Sequence, residues 1–464
     1  MKPLFNVPAC VLFAQASQAD GLGEDLRRAV PHAGLPGRVF SGRLPRPHMH
    51  WVEAEPLLKE ARTDWYFQEL GTGSRRKKRS ALVQQRIVGG TGLNAYVDRF
   101  KQGATIVPRA FYFVKVDSEM LDLAGRVVSV RTHPLARQEA KKPWDDITLT
   151  GRVNGEFLFR TATARNIVPF VLVNPPLVAL PLLAEETASK QVGAMEAKLE
   201  WKLLTPEQLT QMGKLETAQW FAQGVLLWNE RRSDSAKKTD MSSYDRLNFQ
   251  RGLIDQPVGA HWAVLYNASG KDASACVIDV QAHDRRFLAD HTEYVCFIET
   301  ETEAFYICCY LNSGFANAAI KEFQAKGLFG ARHVHKKILE LPWPAFTPNN
   351  PWHRKLAAAG RQAATLALQA VGPQRDMELG TRDLGQLRLH VRREIAPVLA
   401  EIDQLVKAIS TGEDLRRMRD DWQRLVDAPP SSSNTQEPDQ LSATLRAERE
   451  EWAHRELPRP SPTR

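Results

Sequence analysis

A dense group of ionisable side chains lies between residues 332 and 337. Five of these six residues carry such groups: Arg332, His333, His335, Lys336 and Lys337. Guanidinium and ammonium groups on long side chains can neutralise several phosphates of a polyanion. The two histidines give only two nitrogens, and no nearby Asp, Glu or Cys completes a set of metal ligands. The run therefore predicts a surface that contacts phosphates, and no metal site.

A second basic run lies in the segment GTGSRRKKRS, residues 71–80. Its cations are Arg75, Arg76, Lys77, Lys78 and Arg79. Because glycine and serine flank them, we predict a flexible arm that contacts phosphates, with a solvated loop or a localisation tag as the alternative. Arg109 follows Pro108 at the start of a predicted strand. It could contact phosphate in the same way or form a buried ion pair with a carboxylate.

Two further patterns imitate active sites. IVGGTG, residues 87–92, lacks the spacing of a Walker A loop or of a dinucleotide-binding fingerprint, so it predicts a surface loop. In VNPPLV, Asn174-Pro175-Pro176 is followed by Leu177, where amino-methylating DNA enzymes carry an aromatic residue that stacks on the flipped base. Leucine offers no such ring, and no strand with a glycine-rich bend precedes the motif. We therefore predict no catalytic residue in this chain.

The composition is that of an ordinary globular chain with excess positive charge. The 464 residues are 43% hydrophobic and 25% charged, and the formal net charge is +8. The apolar fraction excludes a largely disordered chain, and the charge favours a polyanionic partner. The five cysteines are odd in number and form no CxxC pair, which predicts buried thiols in a reducing cytoplasm.

Two apolar segments bear on location. The first, MKPLFNVPACVLFAQA, imitates a signal peptide, but Asn6 and Pro8 interrupt it, so a buried first strand is predicted. The second, residues 166–184, approaches the length that crosses a bilayer. It contains four prolines, each of which removes a backbone donor where no water could replace it. We therefore predict buried strands and turns, no membrane partner and a cytoplasmic location.

Strand and helix signals divide the chain. Residues 103–183 are rich in β-branched and aromatic residues, with Asn154-Gly155 as a predicted hairpin turn. Helical patterns follow in 186–228, and strand patterns return up to about residue 310. Helices then dominate, and Pro397 interrupts an apolar repeat that runs from Leu384 to Ile409. These signals predict an α+β fold, in which a mixed, largely antiparallel sheet region precedes a helical C-terminal region.

Changes in composition set the predicted domain boundaries. Residues 1–345 are predicted to form a mixed α/β region, and a division into two lobes near 185–240 stays open. Residues 346–428 are predicted to form the helical region. Residues 429–464 begin with PPSSSNTQEPDQ and end in a highly charged segment, which predicts a disordered linker and tail.

Four segments together carry a resemblance to a known family. They are RFKQGATIVPRAFYFV (99–114), YDRLNFQRGLIDQPVGAHWAVLYNASGKDASACVID (244–279), DHTEYVCFIET (290–300) and YLNSGFANAAIKEFQAKGLFGARHVHKKILELPWPAFTPNNPWHRKLA (310–357). In order and pattern they resemble the C-terminal target-recognition half of bacterial adenine-N6 DNA methyltransferases from restriction-modification and phage-defence systems. The resemblance covers most of residues 1–410.

This resemblance implies a sequence-specific, double-stranded DNA-recognition module or subunit of an adenine-N6 DNA methyltransferase. In that family a mixed sheet and loops grip the duplex and read bases, and helices pack back on the body. The family's catalytic domain, with its cofactor strand and Asn-Pro-Pro-aromatic loop, has no counterpart in the sequence. We therefore expect a separate subunit, split gene or remnant that is not catalytic alone. It would hold no cofactor itself and act with a methyltransferase or methyltransferase-nuclease polypeptide that binds S-adenosylmethionine.

The resemblance also implies where DNA contacts lie. The two basic runs and Arg109 would contact phosphates. Candidates for reading bases are Asn248, Gln250 and Arg251, because such side chains suit adenine or guanine edges. Two alternatives stay open. One is an S-adenosylmethionine-dependent adenine methyltransferase in its own right, with an unusual cofactor site around Gly89–Gly92 and Asn174–Leu177. The other is a structural adaptor that docks a partner through the helices at 384–409.

Overall fold

The computed structural model describes residues 34–42, 44–46, 49–70, 79–84, 94–117, 125–138, 140–191, 194–282, 286–327 and 330–427. Several predictions fall outside these residues: the buried first strand, the cations at 75–78, the glycine-rich segment 87–92 and the tail 429–464. The side chains of Arg79 and Arg332 also lie outside the described part. Of the described residues, those up to Asp414 form one compact unit, and those from Leu415 onward belong to a second.

The strands, in chain order, are β1 (Leu35–Ser41), β2 (Lys59–Leu70), β3 (Arg79–Val83), β4 (Lys101–Gln102), β5 (Phe113–Val116), β6 (Val127–Thr132), β7 (Thr150–Asn154), β8 (Leu158–Ala162), β9 (Ile167–Val168), β10 (Val171–Leu172), β11 (Leu177–Ala179), β12 (Leu182–Gln191), β13 (Ala194–Leu203), β14 (Trp262–Asn267), β15 (Ala275–Asp279), β16 (Phe287–Ala289), β17 (Glu293–Ile298), β18 (Ala325–Gly327) and β19 (Gly330–Arg332).

The α-helices are α1 (Trp51–Ala54), α2 (Arg109–Tyr112), α3 (Pro134–Gln138), α4 (Pro206–Gln211), α5 (Leu215–Arg231), α6 (Asp234–Lys238), α7 (Ser243–Leu247), α8 (Glu301–Asn312), α9 (Gly314–Ala319), α10 (Pro351–Val371), α11 (Thr381–Glu394), α12 (Ala396–Ser410) and α13 (Glu413–Asp427). Short 3₁₀ turns occupy Glu55–Leu57, Gly155–Phe157, Phe249–Arg251, Lys321–Phe323, His335–Glu340 and Gly372–Asp376.

Two sheets form the body of the larger unit. The six-stranded sheet has the order β16-β8-β11-β5-β6-β7, in which β16 runs parallel to β8 and the other neighbours are antiparallel. The four-stranded sheet, β15-β14-β17-β4, is antiparallel throughout. Strands β1-β2-β3 form a smaller sheet, and three two-stranded pairs complete the set: β9–β10, β12–β13 and β18–β19. The predicted α+β class, with helices after the sheets, is confirmed.

Helix α5 covers one face of the six-stranded sheet. The buried indole of Trp220 donates its N–H to the carbonyl of Phe111 at 3.1 Å. Its ring lies against Gly151, where a Cβ would stand 3.1 Å from a ring carbon, so a larger residue would push the helix away. This packing fixes α2 and β5, which carry Arg109 and Phe113, against the sheet.

Helix α8 is the centre of a second core. Every residue from Ala304 to Asn312 is buried, which is the pattern of a helix surrounded by protein on all sides. The Asn312 side chain joins the helix to β15, because it accepts from the amide of Ala275 at 3.0 Å and donates to the carbonyl of the same residue at 2.8 Å. Helices α9, α10 and α12 pack around α8 and so attach the helical region to the four-stranded sheet.

Local chemistry explains several helix boundaries. Thr205 caps α4 through a reciprocal pair of hydrogen bonds with Gln208, and Pro206 occupies the first turn. The predicted interruption at Pro397 is also confirmed, because α11 ends at Glu394 and α12 begins at Ala396. Asn350 caps α10 by accepting the amides of the residues two and three positions on.

Three local predictions are wrong. The segment around Asn154-Gly155 is no hairpin: β7 pairs with β6, and a 3₁₀ turn with a buried Phe157 carries the chain to β8, which pairs with β11 and β16. Within the predicted helical stretch 186–228, residues 194–203 instead form strand β13, held by ten paired positions on β12. The predicted strand beyond residue 300 is helix α8, whose N-cap Thr300 accepts from the amide of Glu303.

The four cysteines among the described residues are free and buried, as predicted: Cys276, Cys296, Cys308 and Cys309. Burial raises the pKa of each of these thiols. In the part of the chain that the structure describes, no helix is long and apolar enough to span a bilayer. The same residues include no group of three or more His, Cys, Asp or Glu side chains placed to hold a metal ion.

A buried histidine makes stability depend on pH. Burial lowers the pKa of His353 to about 4, because the charged ring would lose its solvation inside the protein. The Nδ1 of the neutral ring accepts the backbone amide of Thr347 at 3.0 Å. Asp414, 3.8 Å from Nε2, favours the charged ring, but desolvation outweighs this attraction. Since the unfolded chain binds the proton more tightly, we expect the free energy of unfolding to fall by up to about 3 kcal/mol between about pH 6.5 and 4.

Urea denaturation at several pH values measures this effect. In a His353→Asn chain, whose amide oxygen can replace Nδ1 as acceptor, the additional loss between pH 6.5 and 4 should disappear. His390→Gln, which removes an exposed histidine, is measured beside it to account for the loss of a histidine as such. Equal slopes for the His353→Asn and parent chains would contradict the assignment.

Candidate nucleic-acid interface

The basic run at 332–337 lies on a turn that is fixed to β14. After β19 the chain passes through His333 and His335, which both have a positive φ, of 64° and 40°. The amide of His335 donates to the carbonyl of Ala268 at 2.8 Å, and its own carbonyl accepts from the hydroxyl of Tyr266 at 2.9 Å. Non-glycine residues adopt such a backbone at a cost that neighbouring contacts must offset, so this turn has a defined shape.

The side chains of this run have different environments. Lys337 is 5% exposed, and its ammonium donates to the carbonyl of His333 at 2.7 Å, so it is not placed to contact a phosphate as predicted. The rings of His333 and His335 stack at 5.4 Å, and that of His333 is exposed. The Lys336 ammonium lies 5.7 Å from the centre of the Tyr294 ring. The run therefore divides into a buried anchor and a more accessible part.

Tyr294 connects this turn to the edge strand β4. It pairs with Gln102, and Val295 pairs with Lys101. Both β4 side chains are exposed, and the amide of Gln102 donates to the carbonyl of His291. Because β4 is the last strand of its sheet, its outer edge faces no further strand of that sheet. Lys101, Gln102 and His291 were not among the predicted site residues.

The predicted base-reading residues lie beside the same edge. Residues 248–252 follow α7, and a Cβ at Gly252 would lie 3.6 Å from the carbonyl oxygen of Gly103. The side-chain amide of Gln256 donates to the backbone carbonyls of Gly252 and Ala289, each at 3.1 Å. Ala104, next to Gly103, is bridged to Asp290. The structure thus brings together β4, the 248–252 turn and the 333–336 turn around residues 290–294.

The three predicted base readers have different partners. Asn248 accepts the amide of Ile254 at 3.3 Å, so its oxygen braces the turn. Arg251 is exposed and forms a two-point contact with Asp255 at 3.0 and 2.9 Å. Gln250 is exposed, has a φ of 52°, and makes no hydrogen bond through its amide within the described part of the chain. Phe249, between Asn248 and Gln250, is also exposed and was not among the predicted site residues.

Arg109 lies below this edge and is paired. Its guanidinium contacts the fully buried Asp290 at 3.4 Å and lies 5.1 Å from the centre of the Phe113 ring. Asp290 also accepts the amide and hydroxyl of Thr292, at 3.0 and 2.8 Å. Burial, followed by the nearby Asp290 charge, raises the pKa of Glu293 well above its usual value. Of the two roles open to Arg109 in the sequence, the buried ion pair is therefore present in the structure.

Arg109 also lines a cleft of about 560 Å³, part of it open to solvent, between β5 and the segment after α10. Asn174 and Pro176 of the Asn-Pro-Pro motif line the same cleft. Asn174 has a φ of 40°, and its backbone N–H donates to the carbonyl of Arg375 at 2.8 Å. Leu177 lies within β11, paired with β5 and β8. The motif therefore contributes a polar wall to the cleft but no aromatic stacking surface.

The chain was also compared with known proteins. Searches against protein-family models and curated proteins found no match. Among solved structures, the chain is similar to the Type IIL restriction-modification enzyme MmeI in complex with DNA, with a TM-score of 0.37, 12% identity, and coverage of 79% of this chain and 42% of that one. It is also similar to the type IIG restriction endonuclease BpuSI, with a TM-score of 0.25, 12% identity, and coverage of 68% and 32%. The chain spans less than half of either enzyme, and at TM-scores below 0.5 neither similarity assigns a function to it.

Proposed function

We propose that this chain is a sequence-specific, double-stranded DNA-recognition module of an adenine-N6 DNA methyltransferase in a restriction-modification or phage-defence system. It acts with a separate methyltransferase or methyltransferase-nuclease polypeptide, which binds S-adenosylmethionine. The observation that carries the proposal is the convergence of β4, the 248–252 turn and the 333–336 turn around residues 290–294. The resemblance in sequence supplies the class of enzyme.

The chemistry of this surface suits a duplex. Lys101, Lys336 and the exposed His333 offer positive or titratable groups for phosphates, and the chain as a whole carries a net charge of +8. Gln250 and Arg251 offer donors of the kind that bind base edges in the major groove. Phosphate contacts set position and base contacts set specificity, so the two groups of side chains have different expected effects.

Replacing two of the cations tests the phosphate contacts. For the full chain on a labelled duplex, affinity should fall between about 50 and 200 mM salt with a slope of about 0.9 per phosphate contact. In a Lys101→Gln/Lys336→Gln chain the slope should be less steep by about 1.8, and affinity should fall for all sequences alike. Fluorescence anisotropy measures both quantities.

A second pair of cations controls for net charge. Arg354→Gln/Lys407→Gln removes the same two charges from exposed positions on α10 and α12. This pair should leave the salt slope unchanged. If both double variants reduce the slope equally, the cations act through net charge and the proposed surface is not the interface. If the parent chain binds no duplex at low salt, the proposed function fails.

The alternative of an enzyme in its own right rests on the cleft. Asn174 and Pro176 line it, and Asn174 has a left-handed backbone, a kind of strain that clusters at functional sites. Isothermal titration of the pure chain with S-adenosylmethionine separates the two functions. Binding without a partner polypeptide that is lost in Asn174→Ala would favour the enzyme. Absence of binding favours a module whose cofactor lies on its partner.

A further inference from the structure

We propose that the turn Asn248–Arg251 reads an A·T base pair in the major groove, with the Gln250 amide on the adenine edge and the Phe249 ring on the thymine methyl group. This inference rests on the proposed function and assigns a specificity to one part of it. Four observations carry it: the exposure of two side chains, the hydrogen bonding of their neighbours, the shape of the backbone and the position beside β4.

Two adjacent side chains at this turn are exposed and chemically complementary to one base pair. Phe249 is 41% exposed, and Gln250 is also exposed. A glutamine amide has the donor and acceptor that match N7 and the N6 amino group of adenine. Apolar side chains, phenylalanine among them, contact the thymine methyl group. The Cα atoms of consecutive residues are about 3.8 Å apart, so both side chains can reach one base pair or its neighbour.

The other side chains of the turn are engaged and hold it in shape. Asn248 accepts the amide of Ile254, and the amide of Arg251 donates to the carbonyl of Asn248 at 2.9 Å. The Arg246 guanidinium lies 5.7 Å from the centre of the Phe249 ring and backs it. Arg251 is held by Asp255 in an exposed pair. Gln250 is thus the hydrogen-bonding residue of this turn whose side-chain amide is not used within the described residues.

The backbone of the turn is strained at two consecutive residues. Gln250 and Arg251 have φ values of 52° and 59°, in consecutive positions where glycine would be favoured. Bulky residues kept in this region are typical of ligand-contacting sites. This backbone is consistent with a turn that presents the Phe249 and Gln250 side chains to a ligand. Gln250→Gly relieves the strain and should raise the unfolding temperature of the protein.

Modified bases test the two contacts separately. The full chain first selects its site from a randomised duplex pool, and this site should contain an A·T pair. Replacing the contacted thymine by deoxyuridine removes one methyl group and should weaken binding about fourfold. Replacing the paired adenine by 7-deazaadenine removes N7 and should weaken binding at least about fivefold. Anisotropy titrations on matched duplexes give both ratios.

Each ratio should depend on one side chain. In Phe249→Ala the deoxyuridine effect should vanish while the 7-deazaadenine effect remains. In Gln250→Ala and Gln250→Gly the 7-deazaadenine effect should vanish while the deoxyuridine effect remains. The unfolding temperature of Gln250→Gly also shows that this variant is folded. Leu226, 69% exposed on α5, gives the control, since Leu226→Ala should retain both effects.

The outcomes separate this inference from the proposed function. If the parent chain binds its selected duplex but neither modified base changes affinity at any position, the base-reading assignment is wrong and the DNA-binding module stands. The same conclusion follows if the Phe249 and Gln250 variants keep both effects, or if the selected site lacks an A·T pair. If no duplex is bound, both proposals fail together.

Discussion

Replacing Arg109 with methionine is expected to lower the free energy of unfolding by about 3–5 kcal/mol. Asp290 is fully buried, and the Arg109 guanidinium lies 3.4 Å from one of its carboxylate oxygens. Without the guanidinium, the Asp290 carboxylate would stay in the protein interior next to the buried Glu293, and only the hydrogen bonds from Thr292 and the contact with the His291 Nδ1 at 3.2 Å would be left to offset its desolvation. Methionine keeps much of the side-chain volume, so the loss would come mainly from charge.

Urea denaturation of three variants separates this effect from a role in DNA binding. Asp290→Asn removes the charge from the other partner, and the double variant Arg109→Met/Asp290→Asn should recover part of the stability, because no uncompensated charge is left. An exposed cation such as Arg131, half of whose side chain reaches solvent, serves as control, and Arg131→Met should cost less than about 1 kcal/mol. If Arg109→Met were as stable as the parent chain, Arg109 would be held for ligand contact and not for the fold.

The sequence predicted the class of fold better than the pairing of its strands. Alternation and apolar runs indicate extended segments, but they do not say which strands meet. The Asn154-Gly155 signal is local, whereas β7 and β8 are placed by long-range contacts with β6 and β11. Helix α8 was mistaken for a strand because a short apolar run has no distinct period when all of its faces are buried. The Thr300–Glu303 cap was the local signal that could have identified it.

The candidate site was predicted in part, for a related reason. Cationic runs are visible in sequence, and the predicted Gln250, Arg251 and His333 do have exposed side chains. Composition cannot say which member of a run is turned inward, and Lys337 is buried because the backbone twists at His333 and His335. Lys101 and Gln102 form a strand of two residues, which is too short to show a sequence pattern. They became candidates for the site only because the structure pairs them with β17.

One arginine of the helical region, Arg388, binds a turn that lines the cleft, and this contact is called the Arg388 clamp. Arg388 on α11 donates to the carbonyl of Ala164 at 2.6 Å and to that of Ile167 at 2.9 and 2.7 Å. Burial, followed by repulsion from Arg392, lowers the pKa of Arg388 to about 10, so it stays charged at neutral pH. The two carbonyls belong to the turn at residues 163–167, whose Thr163 and Asn166 line the cleft. A charged donor at this point joins the C-terminal helices to the sheet region.

Loss of this clamp should destabilise the protein by about 3–5 kcal/mol, because Arg388→Met leaves two carbonyls without their charged donor. Arg388→Lys should recover only part of the loss, since an ammonium cannot reproduce the planar, three-contact geometry. Arg393→Met, at an exposed position on the same helix, is the matched control and should change stability by less than about 0.5 kcal/mol.

Hydrogen exchange measures the local effect of the same substitutions. The amides of Asn166 and Val173, which donate to Thr163 and Asn166 within the turn, should exchange faster in Arg388→Met than in Arg393→Met. If their protection is unchanged, the turn is held by the sheet alone, and α11 contributes only apolar packing to this side of the cleft.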